Sequence, residues 1–268
     1  SILDLSPAGH QPMHSFSERF VMVYNGEIYN HLDLRNELKE SGRKIEWKGH
    51  SDTETLLSGF AIWGIKQTIN RCVGMFAFAV WDKYEKKLTL GRDRIGEKPL
   101  YFGWQGSGTS SSFLFSSELK SLKHHPAFSG DINRDSLSLL MRHNYIPAPH
   151  SIYQGIHKLL PGYLMTVSLK NKKPVFYQYW SLVEKASSQI NNPFTGTDEE
   201  AKNMLEKLLA SSVKKQMISD VPLGAFLSGG VDSSIIVALM QSQSSTPIKT
   251  FSIGFDETNY NEANYAKA

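Results

Sequence analysis

The pattern of the chain changes near Ser181, and this change constrains the fold more than any other feature of the sequence. Before it, short apolar stretches alternate with turn residues, as in strands and hairpins, with a few helices among them. Residues 181–197 are rich in Ser, Asn, Gly and Pro, a composition typical of a linker. A strand, a helix and another strand then follow, and this order indicates a parallel sheet. The sequence therefore predicts two domains, residues 1–180 and 198–268, joined by a linker at 181–197.

The first predicted domain consists mainly of strands and hairpins. A strand at 18–28 has apolar residues on both faces, which indicates burial on both sides. Asn30 is placed to cap a helix over 31–40, and Ser51 with Glu54 has the spacing of a capping box. The predicted hairpins pair 75–84 with 87–91, 100–104 with 112–116, and 163–169 with 175–179, and a short amphipathic helix is predicted at 135–144.

The second predicted domain opens with an amphipathic helix. Thr197 and Glu200 have the spacing of a capping box at its start. Its apolar residues recur at helical spacing on one face: Ala201, Met204, Leu205, Leu208, Leu209, Val213 and Met217. A strand at 221–228, a helix at 232–241 and a strand at 249–255 form the predicted βαβ unit. Such a unit alone leaves sheet faces and an edge uncovered, so we expect this part to have low stability.

Composition excludes several classes of protein. The single cysteine among 268 residues rules out an internal disulfide framework and a cysteine-based zinc site. A net charge of +3 gives no reason to expect nucleic acid as a partner. The longest apolar runs are far shorter than the roughly 18–20 residues that a membrane span needs, so no membrane partner is expected. No secretory signal is visible, and the predicted location is the cytoplasm.

Residues 226–234, with the sequence FLSGGVDSS, carry the most informative local pattern. A buried strand ends at Ser228, two glycines follow, and a helix begins at once. Glycines let backbone N–H groups approach an oxyanion closely, and a helix N-terminus attracts negative charge. Asp232 would repel a bare phosphate, so its presence favours a bound Mg²⁺. From the residues alone, an ordinary Gly-Gly turn with a Ser or Asp helix cap stays open as the alternative.

This stretch resembles the pyrophosphate-binding loop of the N-type ATP pyrophosphatases. With the flanking segments 219–222 (SDVP) and 250–255 (TFSIGF), it is similar to the synthetase domain of glutamine-hydrolysing asparagine synthetases. The resemblance implies ATP and Mg²⁺ as cofactors, with the metal on Asp232. It implies a nucleotide site formed by Leu227, Ser228, Gly229, Gly230, Asp232, Ser233 and Ile253.

Segments of the first domain resemble the glutaminase domain of the same synthetases, in the family's order: 1–6, 24–30, 51–54, 74–78 and 91–101. The resemblance implies a four-layer αββα sandwich of the N-terminal-nucleophile hydrolases, that is, a class II glutamine amidotransferase fold. The start of an α/β parallel-sheet ATP-pyrophosphatase domain would follow it.

The resemblance also implies a glutamine site. The Asn25 side chain and the Gly26 N–H would form an oxyanion hole, and Glu27 and Asp52 would accept from the substrate ammonium. The main chain at Ile2 and Leu3 would help to fix the substrate. Without the resemblance, Asn25-Gly26 would be interpreted as a hairpin turn. Asp52 would be interpreted as a first-turn carboxylate that faces the helix dipole.

The family's nucleophile is a cysteine at the mature N-terminus, and this chain has none there. Cys72 is predicted to be a buried, inert thiol. Ser1 matches an internal family segment and is not expected to be the nucleophile. We therefore expect a piece that is cut at both ends, with no glutaminase activity in the chain as given.

The function implied for the intact protein is the amidation of aspartate to asparagine through β-aspartyl-AMP, with ammonia from glutamine. Its small-molecule partners would be glutamine, aspartate and ATP, and it would be a homodimer. Two alternatives stay open: an amidotransferase that acts on another carboxylate, of a sugar or a secondary metabolite, and an interaction module with a vestigial nucleotide loop.

Overall fold

A computed structural model describes residues 3–257 and 261–267. The chain divides into two compact units, one of residues 6–191 and a smaller one that joins residues 3–5 to residues 192–257 and 261–267. Each unit is described by itself.

The larger unit contains nine strands and six α-helices within its described residues. In chain order they are β1 (Met13–His14), β2 (Phe20–Ile28), α1 (His31–Glu40), α2 (Asp52–Ile62), α3 (Ile65–Arg71), β3 (Gly74–Asp82), β4 (Lys87–Arg92), β5 (Tyr101–Gln105), β6 (Ser112–Ser116), α4 (Leu119–Leu122), α5 (Arg134–His143), β7 (Ile156–Lys158), β8 (Tyr163–Ser168), β9 (Val175–Gln178) and α6 (Leu182–Ile190). The three predicted hairpins are confirmed as β3–β4, β5–β6 and β8–β9. Helix α6 lies within the segment predicted to be a linker.

Two antiparallel sheets form the centre of this unit. One has six strands in the order β1-β2-β3-β4-β8-β9, and the other has three in the order β6-β5-β7. Strand β3 shows how they stack, because successive side chains of a strand point to opposite faces. Phe76, Phe78 and Val80 pack in one core with residues of α1, α2 and α3. Ala77 and Ala79 pack in a second core with residues of β5.

The second sheet has a further core on its other side. Leu114 and Ile156 pack there with Leu122 of α4. The order of layers is therefore helices, six-stranded sheet, three-stranded sheet, helix, which confirms the predicted four-layer αββα sandwich.

Asn30 is the N-cap residue of α1, as predicted, but the capping bond expected from its side chain is absent. Its Nδ2 donates to the Arg71 carbonyl at 3.0 Å and its Oδ1 accepts from the Val73 N–H at 2.8 Å. Asn30 thus links the end of β2 to the start of β3, because two backbone groups of the segment that precedes β3 bind its side-chain amide. Ser51 caps α2 as expected, accepting from the Glu54 N–H at 3.1 Å.

The smaller unit contains α7 (Asp198–Gln216), β10 (Gly224–Phe226), α8 (Val231–Ser242), β11 (Lys249–Phe251) and α9 (Ala263–Lys267). The capping box of Thr197 and Glu200 is present at the start of α7. Strands β10 and β11 pair in parallel across α8, which confirms the predicted βαβ unit. Each strand has three residues, fewer than predicted, because only this stretch finds a partner strand among the described residues.

Candidate functional site

The outer edge of β2 presents backbone N–H groups at every second residue. Phe76 of β3 turns its backbone groups toward Asp93, which donates to the Phe76 carbonyl at 2.8 Å and accepts from the Phe76 N–H at 3.1 Å. Gly26 lies opposite Phe76. Antiparallel pairs alternate between bonded and non-bonded, so the Gly26 N–H points away from β3. β1 pairs only with Val21 and Met22, so no strand of the described structure covers this part of the edge.

The neighbouring N–H groups on this edge are bound by side chains. The Tyr24 N–H donates to Gln11 Oε1 at 2.6 Å, and the Ile28 N–H donates to Asp52 Oδ2 at 2.8 Å. The backbone on either side of Gly26 is therefore held in place by hydrogen bonds to the Gln11 and Asp52 side chains.

Asn25 and Gly26 do not form a hairpin turn, so that interpretation is wrong. Both residues lie inside the nine-residue strand β2, opposite Ala77 and Phe76. A Cβ atom at Gly26 would lie 2.2 Å from the Met75 carbonyl oxygen, which leaves no room for a side chain. Glycine is needed here because two strands approach closely.

The Asn25 side chain faces the second sheet, since its cross-strand partner Ala77 does. Its Nδ2 donates to Ser117 Oγ at 3.0 Å. Ser117 directly follows β6, so this bond joins the two sheets at their rim. A cavity of about 260 Å³ opens beside it, lined by Val23, Tyr24, Asn25, Ala77, Phe78, Ala79, Leu100, Phe115, Ser116 and Ser117.

Glu27 and Asp52 are two buried carboxylates next to this edge. Glu27 is 7% exposed, and its Oε1 has no hydrogen-bond partner within the described residues. Burial, followed by the negative charge of Asp52, raises the pKa of Glu27, and the positive charge of Lys98 opposes the rise. A buried carboxylate in this state is stabilised by a cation that reaches its free oxygen.

Asp52 does more than face a helix dipole. Its Oδ2 accepts from the Ile28 N–H and from the Tyr24 hydroxyl at 3.1 Å, and its Oδ1 accepts from the Thr53 N–H at 2.8 Å. Helix α2 thus places the carboxylate against β2 and beside Glu27. Burial, followed by the charge of Asp52, raises the pKa of Tyr24 well above its usual value, so its hydroxyl stays a donor.

Arg92 and Asp93 hold the turn that carries Lys98. The Arg92 guanidinium donates to the carbonyls of Gly96, Lys98 and Leu159, each at 2.7 Å. The Asp93 carboxylate accepts from the N–H groups of Phe76, Gly96, Glu97 and Lys98, at 2.6 to 3.1 Å. One residue therefore binds the carbonyls of the turn and the next binds its amides.

Cys72 is buried, as predicted. It is 2% exposed, and its Sγ donates to the Thr68 carbonyl at 3.2 Å. Burial raises the pKa of the Cys72 thiol to about 12, which keeps it protonated and unreactive near neutral pH.

The main chain at Ile2 and Leu3 was predicted to help to fix glutamine. Ile2 lies outside the described residues. Leu3 is buried and belongs to the smaller unit, where the next residue, Asp4, donates its N–H to Asp220 Oδ2 at 2.8 Å. Their role in glutamine binding stays a prediction.

The Gly-rich stretch forms a compact loop between β10 and α8. Ser228 Oγ and Ser233 Oγ lie 2.9 Å apart, and the Gly230 N–H donates to Ser228 Oγ at 3.3 Å. Gly230 is the N-cap residue of α8, and Asp232 lies exposed in the first turn. Gly229 has φ +78°, and a Cβ there would lie 2.5 Å from Tyr265. The loop therefore presents hydroxyls, backbone amides and one carboxylate at a helix N-terminus.

Leu227 and Ile253, the first and last residues of the predicted nucleotide site, lie beside this loop. The Leu227 N–H donates to the Phe251 carbonyl at 2.9 Å, and the Leu227 carbonyl accepts from Ser252 Oγ at 2.6 Å. Ile253 is 61% exposed. Both backbone groups of Leu227 are therefore hydrogen-bonded, to Phe251 of β11 and to the next residue, Ser252. The apolar side chain of Ile253 is exposed.

A single carboxylate beside hydroxyls and backbone amides at a helix N-terminus suits Mg²⁺, which is usually held by one or two carboxylates together with substrate phosphates. Residues 3–257 and 261–267 contain no cluster of three or more His, Cys, Asp or Glu side chains that could hold a metal by itself. Over the same residues, no helix has both the length and the apolar character needed to cross a membrane.

Two parts of the chain match known protein families. Residues 1–180 match the family described as "Glutamine amidotransferase domain", and residues 204–268 match the family described as "Asparagine synthase". With the four-layer sandwich, the first match defines the larger unit as a glutamine amidotransferase domain.

The chain is also similar to individual proteins of known name. The chain is 36% identical, over its whole length, to a putative asparagine synthetase [glutamine-hydrolyzing] 2 of Methanocaldococcus jannaschii, of which it covers 52%. It is 33% identical, over 96% of its length, to asparagine synthetase [glutamine-hydrolyzing] 3 of Bacillus subtilis, of which it covers 40%. It is also 29% identical to the amidase chyE of Penicillium rubens, of which it covers 38%. The chain belongs to the glutamine-hydrolysing asparagine synthetase family, and it spans about half the length of these relatives or less.

Sequence reasoning missed three residues of this site. Gln11 and Tyr24 fix the β2 edge, and Ser117 binds Asn25. Ser117 is 92 residues from Asn25. The only local signal was a hydroxyl pair, Ser116-Ser117, at the end of a predicted strand.

Proposed function

We propose that the full-length protein hydrolyses the side-chain amide of glutamine at the β2 edge and transfers the ammonia to an ATP-activated acid. The observation that carries this proposal is Glu27, a buried carboxylate with a free oxygen and a raised pKa beside the Asp52 carboxylate. Two negative groups in one buried place need a cation, and the α-ammonium group of glutamine supplies one.

The reacting amide would then lie against Asn25 and Gly26. When a nucleophile attacks the amide carbon, negative charge develops on the oxygen, and preorganised N–H donors stabilise it. The outward Gly26 N–H supports this role, as does the Asn25 amide at the rim of the cavity. The resemblance implies a cysteine nucleophile, and the buried, protonated thiol of Cys72 does not suit that role.

We further propose that ATP binds the loop at 227–233, with Ile253 near the adenine. Mg²⁺ on Asp232 would neutralise phosphate charge there. The hydroxyls of Ser228 and Ser233 and the N-terminus of α8 would bind the pyrophosphate part. The acid would be aspartate: its β-carboxylate would attack the α-phosphate of ATP to give β-aspartyl-AMP with release of pyrophosphate. Ammonia would then attack the activated carboxyl carbon and displace AMP to give asparagine.

The test uses the full-length protein with glutamine, aspartate, ATP and Mg²⁺. We expect equal amounts of glutamate, asparagine, AMP and pyrophosphate, and loss of glutamate release in the Asn25→Asp variant, whose carboxylate repels the oxyanion. Asp232→Ala is expected to abolish AMP formation while glutamate release continues. Glutamate release that is unchanged by Asn25→Asp contradicts the proposed glutaminase site.

The identity of the acid substrate is tested with the same protein. One relative is named an amidase rather than an asparagine synthetase. Amide formation on a different carboxylate, with none on aspartate, would favour the alternative amidotransferase. No nucleotide binding by the full-length protein would favour the interaction module. A homodimer and a cytoplasmic location stay predictions, and light scattering on the full-length protein tests the first.

A further inference from the structure

The Asn25 amide is held from the opposite sheet. Its Nδ2 donates to Ser117 Oγ at 3.0 Å, and this bond spans 92 residues of sequence. Ser117 is partly buried at the rim of the cavity that Asn25 also lines. The bond therefore fixes a side chain that lies at an open, solvent-accessible edge.

The orientation of this amide has a chemical consequence. An asparagine Nδ2 carries two hydrogens. Ser117 Oγ accepts one of them, which leaves the other to donate to a bound oxyanion. Without this acceptor, the amide plane can rotate about the terminal torsion, which is broad in asparagine. A rotated amide would direct its N–H groups at water instead of at the reacting carbonyl.

We propose that Ser117 is a positioning residue for glutamine hydrolysis: it orients the Asn25 amide so that one N–H points at the oxyanion. The inference rests on the proposed glutaminase function and deepens it. Ser117 acts through Asn25, so it affects the transition state, in which the oxygen is charged, more than the bound substrate.

The structure provides a matched control. Ser116 is the preceding residue and lines the same cavity, but its Oγ accepts from the Glu118 N–H at 3.1 Å. Ser116→Ala and Ser117→Ala each remove one hydroxyl from the same rim. Only the second removes the hydrogen bond to Asn25.

The experiment measures kcat and KM for glutamate release by the full-length protein. We expect Ser117→Ala to lower kcat about tenfold, the size expected for loss of one orienting hydrogen bond, with KM for glutamine changed less than twofold. Ser116→Ala should match the unmodified protein. In the Asn25→Ala background, Ser117→Ala should have no further effect, because the amide it orients is gone.

Three results would overturn the inference: an unchanged kcat in Ser117→Ala, an effect on KM alone, or a full tenfold loss that persists in the Asn25→Ala background. Thermal unfolding of each variant separates a folding defect from a kinetic one. If the unmodified full-length protein releases no glutamate, the proposed function fails instead, so the two failures are distinguishable.

Discussion

Gly26 shows how a single residue serves both the sheet and the site. Its outward N–H belongs to the proposed oxyanion hole, and its missing side chain lets β2 and β3 approach. We expect Gly26→Ala to lower the free energy of unfolding by about 1–3 kcal/mol, the usual cost of overpacking, because its Cβ would lie 2.2 Å from the Met75 oxygen. Urea denaturation measures this. Gly254→Ala is the control, since the nearest atoms to a Cβ there are 3.6 Å away. Equal effects of the two substitutions would contradict the close approach.

The ionised side chain of Glu27 is expected to lower the stability of the folded chain while it favours the binding of glutamine. Its pKa is raised in the folded chain, so the protonated form is favoured on folding and the ionised form costs stability. This cost is absent below the ordinary pKa of glutamate and is fully present once the pH exceeds the raised pKa. Glu27→Gln should therefore stabilise the chain at pH 7, and the difference should vanish as the pH falls below the ordinary glutamate range. Thermal unfolding across pH checks the sign.

The same substitution should weaken the binding of glutamine by about 10- to 100-fold, the usual worth of a hydrogen bond to a charged group. Binding by the unmodified protein should weaken with acidification at a higher pH than an ordinary glutamate would give, because the raised pKa protonates Glu27 earlier. Isothermal titration with glutamine at several pH values measures both effects. A Glu27→Gln variant that is no more stable and binds glutamine equally well would show that this carboxylate does not meet the ammonium.

At the scale of a structural element, the turn after β4 depends on one buried carboxylate. Four N–H groups share the buried Asp93 carboxylate, which is 1% exposed. We expect Asp93→Asn to lower the free energy of unfolding by about 2–4 kcal/mol. An asparagine side chain has only one acceptor oxygen, and its NH₂ group would face backbone N–H groups that are themselves donors. Glu46→Gln, at an exposed position, is the control. Urea denaturation that finds equal effects for both would show that the turn does not depend on this carboxylate.

The elements also show which features local sequence can predict. The hairpins were predicted correctly because alternation and turn residues lie close together in the chain. Asn30 was correctly placed at the N-cap of α1, but its side-chain partners were not predicted, since Arg71 and Val73 are about forty residues away. Asn25-Gly26 alone is typical of a turn, and only the pairing with β3 shows that it lies inside a strand. Local chemistry thus predicts elements well, and contacts between distant elements decide what their polar residues do.

At the scale of the whole molecule, the resemblance predicted the layers, which the alternation of residues alone could not. β8 and β9 join the first sheet beside β4, whereas β5, β6 and β7 form the second sheet. This order depends on which apolar faces meet, such as Ala77 and Ala79 of β3 against Leu100 and Phe102. Two residues of the predicted glutamine site, Glu27 and Asp52, come close for the same reason, through the packing of α2 on β2.

The two compact units differ in how much apolar surface they bury, and this difference predicts how the chain responds to protease. In the smaller unit, large apolar side chains stay exposed on every element from α7 to β11, among them Leu208, Phe226 and Phe251, at 57–77% exposure. Its buried apolar residues within the described chain are Leu3, Val213 and Met240. Local opening is easiest where few apolar contacts are buried. Limited proteolysis of the 268-residue chain should therefore remove residues after about 191 first and leave a stable fragment that contains residues 6–191.

Mass spectrometry of the fragments locates the first cuts, and hydrogen exchange provides an independent measure. We expect amides of β2, β3 and β4 to be the slowest to exchange, and amides of β10, α8 and β11 to exchange much faster. ATP with Mg²⁺ should slow exchange in the loop at 227–233 if the proposed nucleotide site binds there, because a ligand that binds only the folded form stabilises it. Early cuts within β2 to β4, or equal protection of both units, would contradict the unequal stability that the buried surfaces predict.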